Sequence, residues 1–153
     1  MGTTCPGHLK TLEMTNIQYR LQGFDLPQFN MRMENYGAEP ETKARTNIEF
    51  AYNKDKHVVK SSVYIQMLQG GKEFLVMQMD AYAEIRDCSA ERLMTDEGIR
   101  LPRNLQCQFA SFCYGALRGV MYLKTLNTPL QNIVLPPLEL HNIIKSDIVI
   151  SLD

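Results

Sequence analysis

Residues 58–85, VVKSSVYIQMLQGGKEFLVMQMDAYAEI, contain two alternating segments separated by Gly70 and Gly71. Every second residue from 59 to 67 lies on one face of the first segment, and every second residue from 75 to 85 lies on one face of the second. Most of these residues are apolar, and a period of two is typical of strands that bury one face. A Gly-Gly pair supplies the left-handed torsions of a tight turn, so this stretch predicts a β-hairpin.

Two further strands are predicted on the N-terminal side of the hairpin. Residues 44–52 alternate apolar and polar side chains, and the charged residues 53–56 form a turn into the hairpin. Residues 12–26 alternate around Ile17, Tyr19 and Leu21, and Pro27 is expected to end that strand. Residues 28–42 are interpreted as a connection. The sequence therefore predicts a four-stranded antiparallel sheet.

The second face of the hairpin is also half apolar, which is unusual for a face that water covers. One interpretation is strand propensity alone, since aromatic residues suit strands. The other, which we favour, is that a second subunit packs on this face. The residues concerned are Tyr64, Leu68, Phe74, Val76 and Tyr82.

After residue 87 the period changes from two to that of a helix. Residues 89–94 predict one short helical turn with Ser89 as its cap, and residues 103–125 predict a long helix. A line of small residues in the long helix permits a close crossing with the sheet or with a partner helix. This line consists of Ser111, Gly115 and Gly119, and the apolar stripe consists of Leu105, Phe109, Phe112, Ala116, Val120 and Leu123.

The segment after the long helix is apolar but contains two adjacent prolines. Residues 130–138 read LQNIVLPPL, and neither a helix interior nor a central strand accepts this pair. The segment is therefore expected to be an extended apolar loop on an apolar surface. Residues 139–144 are compatible with the start of a helix and residues 148–150 with a strand.

Composition bounds the class of protein. The 153 residues suit a single domain, which we assign to residues 11–153, with residues 1–10 as a loose N-terminal tail. Sixteen basic residues face seventeen acidic ones, giving a net charge of −1, so nothing favours nucleic acid as a partner. No apolar run is long enough to insert into a membrane, and no secretory signal is visible, so the cytoplasm is the expected location.

The sequence offers no constellation for catalysis, a metal or another cofactor. It lacks a Gly-x-Ser-x-Gly elbow, a P-loop and a Gly-x-Gly-x-x-Gly motif, so we expect no enzyme activity and no cofactor. Arg118 is the one charged residue in the apolar half of the long helix. It is either buried, with hydrogen bonds that hold a neighbouring loop, or exposed on the flank of the helix. No Cys-x-x-Cys pair occurs, so free thiols are expected at Cys5, Cys88, Cys107 and Cys113.

The order of elements and four short motifs resemble the SecB export chaperone family. The motifs are residues 101–105 (LPRNL) and 109–110 (FA) at the start of the long helix, 118–119 (RG) near its end, and 129–137 (PLQNIVLPP) after it. The family similarly has a Pro-Asn before its helix, an aromatic-Ala pair, an Arg-Gly step and a proline-bearing crossover loop. The resemblance implies an α+β fold with a four-stranded antiparallel sheet, a long helix, a crossover loop and a C-terminal segment.

The resemblance also implies a function without chemistry. Family members hold unfolded polypeptides for export, with the SecA motor as a partner, or support toxin–antitoxin pairs, and they are homotetramers built as dimers of dimers. Grooves beside the crossover loop hold the client, which implies client contacts at Leu130, Ile133, Val134, Leu135 and Leu138. Phe109 and Phe112 are added from the helix stripe. A module dedicated to one partner and a small-ligand protein or enzyme are the alternative functions.

Overall fold

The computed structural model describes residues 16–37 and 41–152. Four long strands, all antiparallel to their neighbours, form a sheet in the order β1-β4-β3-β2. The predicted four-stranded antiparallel sheet is therefore confirmed, whereas the predicted tail at residues 1–10 lies outside the described residues. The strands are β1 (Tyr19–Met31), β2 (Thr42–Asn53), β3 (Val58–Gln69) and β4 (Lys72–Ile85).

The hairpin of β3 and β4 forms as predicted. Gly70 and Gly71 have φ angles of 58° and 76°, the two positive values that a type I′ turn requires. Val63 pairs with Met79, and Ile65 pairs with Met77, so the alternating apolar residues of both strands share one buried face. The main core of the protein, which includes Val63, Ile65, Met77 and Met79, is built on this face.

The first strand does not end at Pro27. The register between β1 and β4 shifts between Asp25 and Gln28, so a bulge accommodates Leu26 and Pro27 and the strand continues to Met31. Because β1 lies at the edge of the sheet, a missing backbone N–H is tolerated there. The prediction of a connection from residue 28 is thus wrong for the first four residues, and a 3-10 helix follows at Met33–Asn35.

A second irregularity changes the interpretation of the outer face of the sheet. The register between β3 and β4 shifts between Met67 and Leu68, and both Phe74 and Leu75 belong to the main core. The Phe74 ring lies 4.9 Å from that of Tyr36, measured between centroids. The cluster predicted to meet a second subunit therefore loses Phe74 and Val76, which this chain buries by itself.

A short helix and a small second sheet follow the hairpin. Helix α1 (Asp87–Leu93) contains Ser89 in its interior, where the Ser89 hydroxyl accepts a hydrogen bond from the backbone N–H of Gln18. The prediction of Ser89 as a cap is therefore wrong. Strands β5 (Met94–Thr95), β6 (Gly98–Leu101) and β7 (Ile148–Ile150) form the second sheet in that order.

The long helix α2 (Arg103–Lys124) packs on the buried face of β3 and β4. Its buried side includes Cys113, Leu117 and Met121, which belong to the main core. Leu123 is 67% exposed, so the last residue of the predicted apolar stripe is wrong. The reason is geometric: Leu123 is two residues beyond the buried Met121, which at 3.6 residues per turn places it on the far side of the helix.

Cysteine chemistry differs from the prediction at one position. Cys107 and Cys113 are free, as expected, and both are buried, but Cys88 is disulfide-bonded, and Cys5 lies outside the described residues. Spacing motifs reveal only cysteines that are close in sequence, so they do not report a bond that folding creates. In the described part of the chain, no three His, Cys, Asp or Glu side chains come together as a metal site.

Cys113 predicts a loss of stability at alkaline pH. Its Sγ lies 2.8 Å from the Met79 carbonyl oxygen, and burial raises the pKa of the thiol from 9.0 to about 12. The unfolded thiol ionises first as the pH rises, so the stabilisation is present below pH 9 and is lost towards pH 12. Between pH 9 and 10 we expect this group alone to lower the free energy of unfolding by roughly 1 kcal/mol per pH unit.

Urea titrations at several pH values measure this slope, and Cys113→Ala is expected to have a shallower one. Cys107→Ala is the matched control, because it removes the second buried thiol. Burial raises the pKa of that thiol as well. Equal slopes for wild type and Cys113→Ala would contradict the assignment.

The C-terminal part of the chain is fixed to the start of α2. The backbone N–H of Arg103 donates to Asp147 Oδ1 at 2.7 Å, which satisfies one free donor at the helix N-terminus. The Arg103 side chain donates to the carbonyl oxygens of His141 and Ile144. These bonds hold the short helix α3 (Leu140–Ile143) and strand β7 near α2. No helix in the described part of the chain is long and apolar enough to cross a membrane.

Candidate functional site

The crossover segment, residues 126–138, lies between α2 and α3 in an irregular conformation that alternates anchors with exposed side chains. Leu130 and Leu135 are buried in the main core, whereas Val134 between them is 74% exposed. The Tyr114 hydroxyl of α2 donates a hydrogen bond to the Pro136 carbonyl oxygen. The segment is therefore held at several points while it presents an apolar residue to the outside.

An open cavity of about 320 Å³, which we call the α2 trough, lies between α2 and the crossover segment. A Cβ atom added at Gly115 or Gly119 would meet nothing within 4 Å, so this side of the helix leaves the space open. The volume lies near the lower end for sites that take small ligands, and one or two side chains of a bound chain would occupy it. Its lining consists of Gly115, Arg118, Gly119, Met121, Tyr122, Ile133, Val134 and Leu135.

A second cavity, of about 700 Å³, lies beside the N-terminal half of α2 and below α3. The Sγ of Cys107 and Nδ1 of His141 are 3.7 Å apart in its wall. Burial raises the pKa of Cys107 although the charge of Arg103 opposes this, so the thiol remains protonated at neutral pH and is a poor nucleophile. This cavity has the shape of a binding site but lacks an activated group for catalysis.

The predicted client contacts fall into two groups. Phe109, Leu130 and Leu135 are buried, and the Phe109 ring packs edge-on against that of Tyr19 at 4.9 Å. Leu135 nevertheless lines the α2 trough, and client contact at all three residues stays a prediction. The remaining predicted contacts are at least partly accessible: Ile133 and Val134 in the α2 trough, Leu138 in the second cavity, and Phe112 near Tyr19.

The line of small residues on α2 makes no close crossing with any part of residues 16–37 or 41–152. Ser111, Gly115 and Gly119 are exposed, and the sheet contacts other positions of the helix. Ser111 lines the second cavity, and the two glycines line the α2 trough. The predicted crossing with the sheet is therefore wrong, and a crossing with a partner helix stays a prediction.

Arg118 is one of two polar residues that line the α2 trough although sequence reasoning did not place them there. It is half-buried, lines the α2 trough, and forms no hydrogen bond or ion pair with any residue in the described ranges. Its charge opposes the rise that burial causes in the pKa of Tyr114. Neither predicted alternative, buried anchor or exposed flank, describes it. Tyr122, the other, is exposed on the same wall, and no sequence signal indicated it.

Comparison with known proteins identifies the fold. No protein-family model and no curated protein matches the sequence. The chain is similar to the SecB-like chaperone of Mycobacterium tuberculosis solved in complex with a ChAD peptide from an antitoxin. Sequence identity is 12%, the TM-score is 0.50, and the match covers 83% of this chain and 95% of that one. A protein of unknown function from Streptococcus agalactiae matches at 15% identity and a TM-score of 0.44, covering 80% of this chain and 98% of that one.

At 12% identity, the similarity to the Mycobacterium tuberculosis chaperone shows the fold alone. The chain has the SecB-like α+β fold, with the four-stranded antiparallel sheet, long helix, crossover segment and C-terminal segment that the sequence predicted. The fold by itself does not define the function, because one fold serves different functions in different proteins.

Proposed function

We propose that this protein is a chaperone that holds unfolded or partly folded polypeptides in the α2 trough and along the crossover segment. The observation that carries the proposal is the pairing of a buried Leu135 with a largely exposed Val134 on the wall of an open cavity. A chain that folds for stability alone gains more by burying both residues. A fixed apolar wall with vacant space beside it instead suits an extended apolar segment of another chain.

Binding of this kind depends on several weak contacts. One trough accommodates only a short stretch of client, so high affinity requires several sites on one assembly. The proposal therefore includes the homotetramer, a dimer of dimers, that the resemblance to SecB implies. The sequence predicts a cytoplasmic location, whereas the disulfide at Cys88 favours an oxidising compartment, because disulfides are rare where thiols are kept reduced.

A second candidate function is service to one dedicated partner. The Mycobacterium tuberculosis protein of similar fold was solved with a peptide from an antitoxin, which favours a toxin–antitoxin role as a specific alternative. Delivery of many clients for export, with the SecA motor as partner, is the other role that the resemblance implies. A pull-down distinguishes the two: many captured proteins favour the general chaperone, and one dominant protein favours the dedicated one.

Suppression of aggregation tests the chaperone proposal directly. We expect a stoichiometric amount of the wild-type protein to keep a chemically denatured model protein from scattering light on dilution. Val134→Ser is expected to weaken this protection because it removes apolar surface from the trough wall. Leu123→Ser is the matched control, since Leu123 is equally apolar and exposed but does not line the cavity. Aggregation that proceeds unchanged with wild-type protein contradicts the proposal.

A further inference from the structure

We infer that the α2 trough selects apolar client segments that carry an Asp or Glu side chain, and that Arg118 binds the carboxylate. This inference rests on the proposed function, and it adds the chemistry of the segment that the site prefers.

The two walls of the α2 trough carry only positive charge. From residue 103 to residue 138, which spans α2 and the crossover segment, the charged residues are Arg103, Arg118 and Lys124, and there is no acidic residue. The chain as a whole has a net charge of −1, so this stretch departs from the average composition. The site therefore complements a negatively charged group on the bound chain.

The other two cations already have roles within the chain. The Arg103 guanidinium donates hydrogen bonds to backbone carbonyl oxygens of the C-terminal part. The Lys124 ammonium lies over the Phe29 ring, 5.6 Å from its centroid, and Lys124 does not line the trough. Arg118 is thus the cation that faces the trough, and no acidic partner within the described residues neutralises it.

The surroundings of Arg118 strengthen an ion pair with a client. Arg118 as a residue is half-buried and lines the trough together with Met121, Ile133 and Leu135, and charges interact more strongly where protein replaces part of the water. Its planar arrangement of donors matches the two oxygens of a carboxylate, which an amide or an ammonium group cannot reproduce. A client lysine or arginine at the same position would be repelled.

The decisive experiment compares peptides that differ at one position. Fluorescently labelled leucine-rich peptides, all with amidated C-termini, carry Asp, Asn or Lys at one central site, and anisotropy measures their affinity. Amidation leaves the Asp side chain as the only carboxylate that distinguishes them. For wild type we expect the Asp peptide to bind about tenfold more tightly than the Asn peptide, and the Lys peptide most weakly. The preference should shrink as salt rises, because the site is only partly shielded from solvent.

Three variants assign the preference to one guanidinium. Arg118→Gln is expected to bind Asp and Asn peptides equally, at an affinity close to that of wild type for the Asn peptide. Arg118→Lys keeps the charge without the planar donors and should retain part of the preference. Lys124→Gln removes one positive charge from the same helix outside the trough and should retain all of it. Urea unfolding of each variant establishes that the fold is intact.

The outcomes separate this inference from the proposed function. Equal wild-type affinity for Asp and Asn peptides, or an equal weakening of both by Arg118→Gln, overturns the carboxylate preference and leaves polypeptide binding standing. Absence of binding by every peptide overturns both.

Discussion

Leu130→Ala is expected to lower the free energy of unfolding by about 2–5 kcal/mol. The Leu130 side chain is fully buried in the main core, in the same cluster as Leu117 and Leu135. Truncation removes its apolar surface and leaves a cavity that the neighbouring side chains fill only in part. Domains of this size are stable by about 5–15 kcal/mol, so this single change removes a large share of the total.

Val134→Ala in the same segment provides the contrasting case. Because Val134 is largely exposed, its truncation should change stability by less than about 0.5 kcal/mol. Urea denaturation of the two variants measures the difference. If both variants lose the same stability, the division of the crossover segment into anchors and contact residues is wrong. If only Leu130→Ala is destabilised, a binding defect in Val134→Ala reports on the α2 trough itself.

Gly115→Leu is expected to weaken client binding at least tenfold while leaving the protein as stable as wild type or more so. The new side chain would extend into the α2 trough, because a Cβ atom at Gly115 has open space around it. Replacing glycine inside a helix with a good helix former also gains up to about 1 kcal/mol. Loss of function without loss of stability is the signature of a filled site, and peptide anisotropy and thermal unfolding measure the two effects.

The same variant distinguishes the two uses predicted for the small-residue line of α2. If a partner helix crosses at Gly115, leucine there also lowers the mass of the assembly, which light scattering of the wild type and the variant measures. If the glycine serves the trough alone, the mass stays constant. Lys124→Leu adds an apolar side chain to the same helix outside the cavity and should affect neither quantity. Normal client binding by Gly115→Leu would contradict the trough as the binding site.

Much of the fold could be predicted because its signals are local. The hairpin of β3 and β4 depends on an apolar period of two and on torsions that glycine alone adopts easily. The prediction failed at β1, where Pro27 usually ends a strand. A bulge at the sheet edge removed the need for its hydrogen bond, and the position of a strand within a sheet is not a local property.

The candidate site could be predicted only as a segment. Two prolines excluded regular structure, and the resemblance placed client binding beside them, but Leu130, Val134 and Leu135 are chemically alike in the sequence. The structure buries two of them and exposes the third. Arg118 was ambiguous for the same reason, because a charged residue among apolar ones reveals neither what lies opposite it nor whether a partner neutralises it.

The sequence by itself therefore determined the four-stranded sheet, the long helix, the irregular apolar crossover and the absence of acidic residues from residue 103 to residue 138. Only the tertiary structure decided which side chains of the crossover are anchors, that the exposed glycines of α2 leave a trough open, and that Arg118 faces it without a described partner. Periodicity and torsional preference act between near neighbours in the chain. Burial and vacant space depend on how elements distant in sequence pack together.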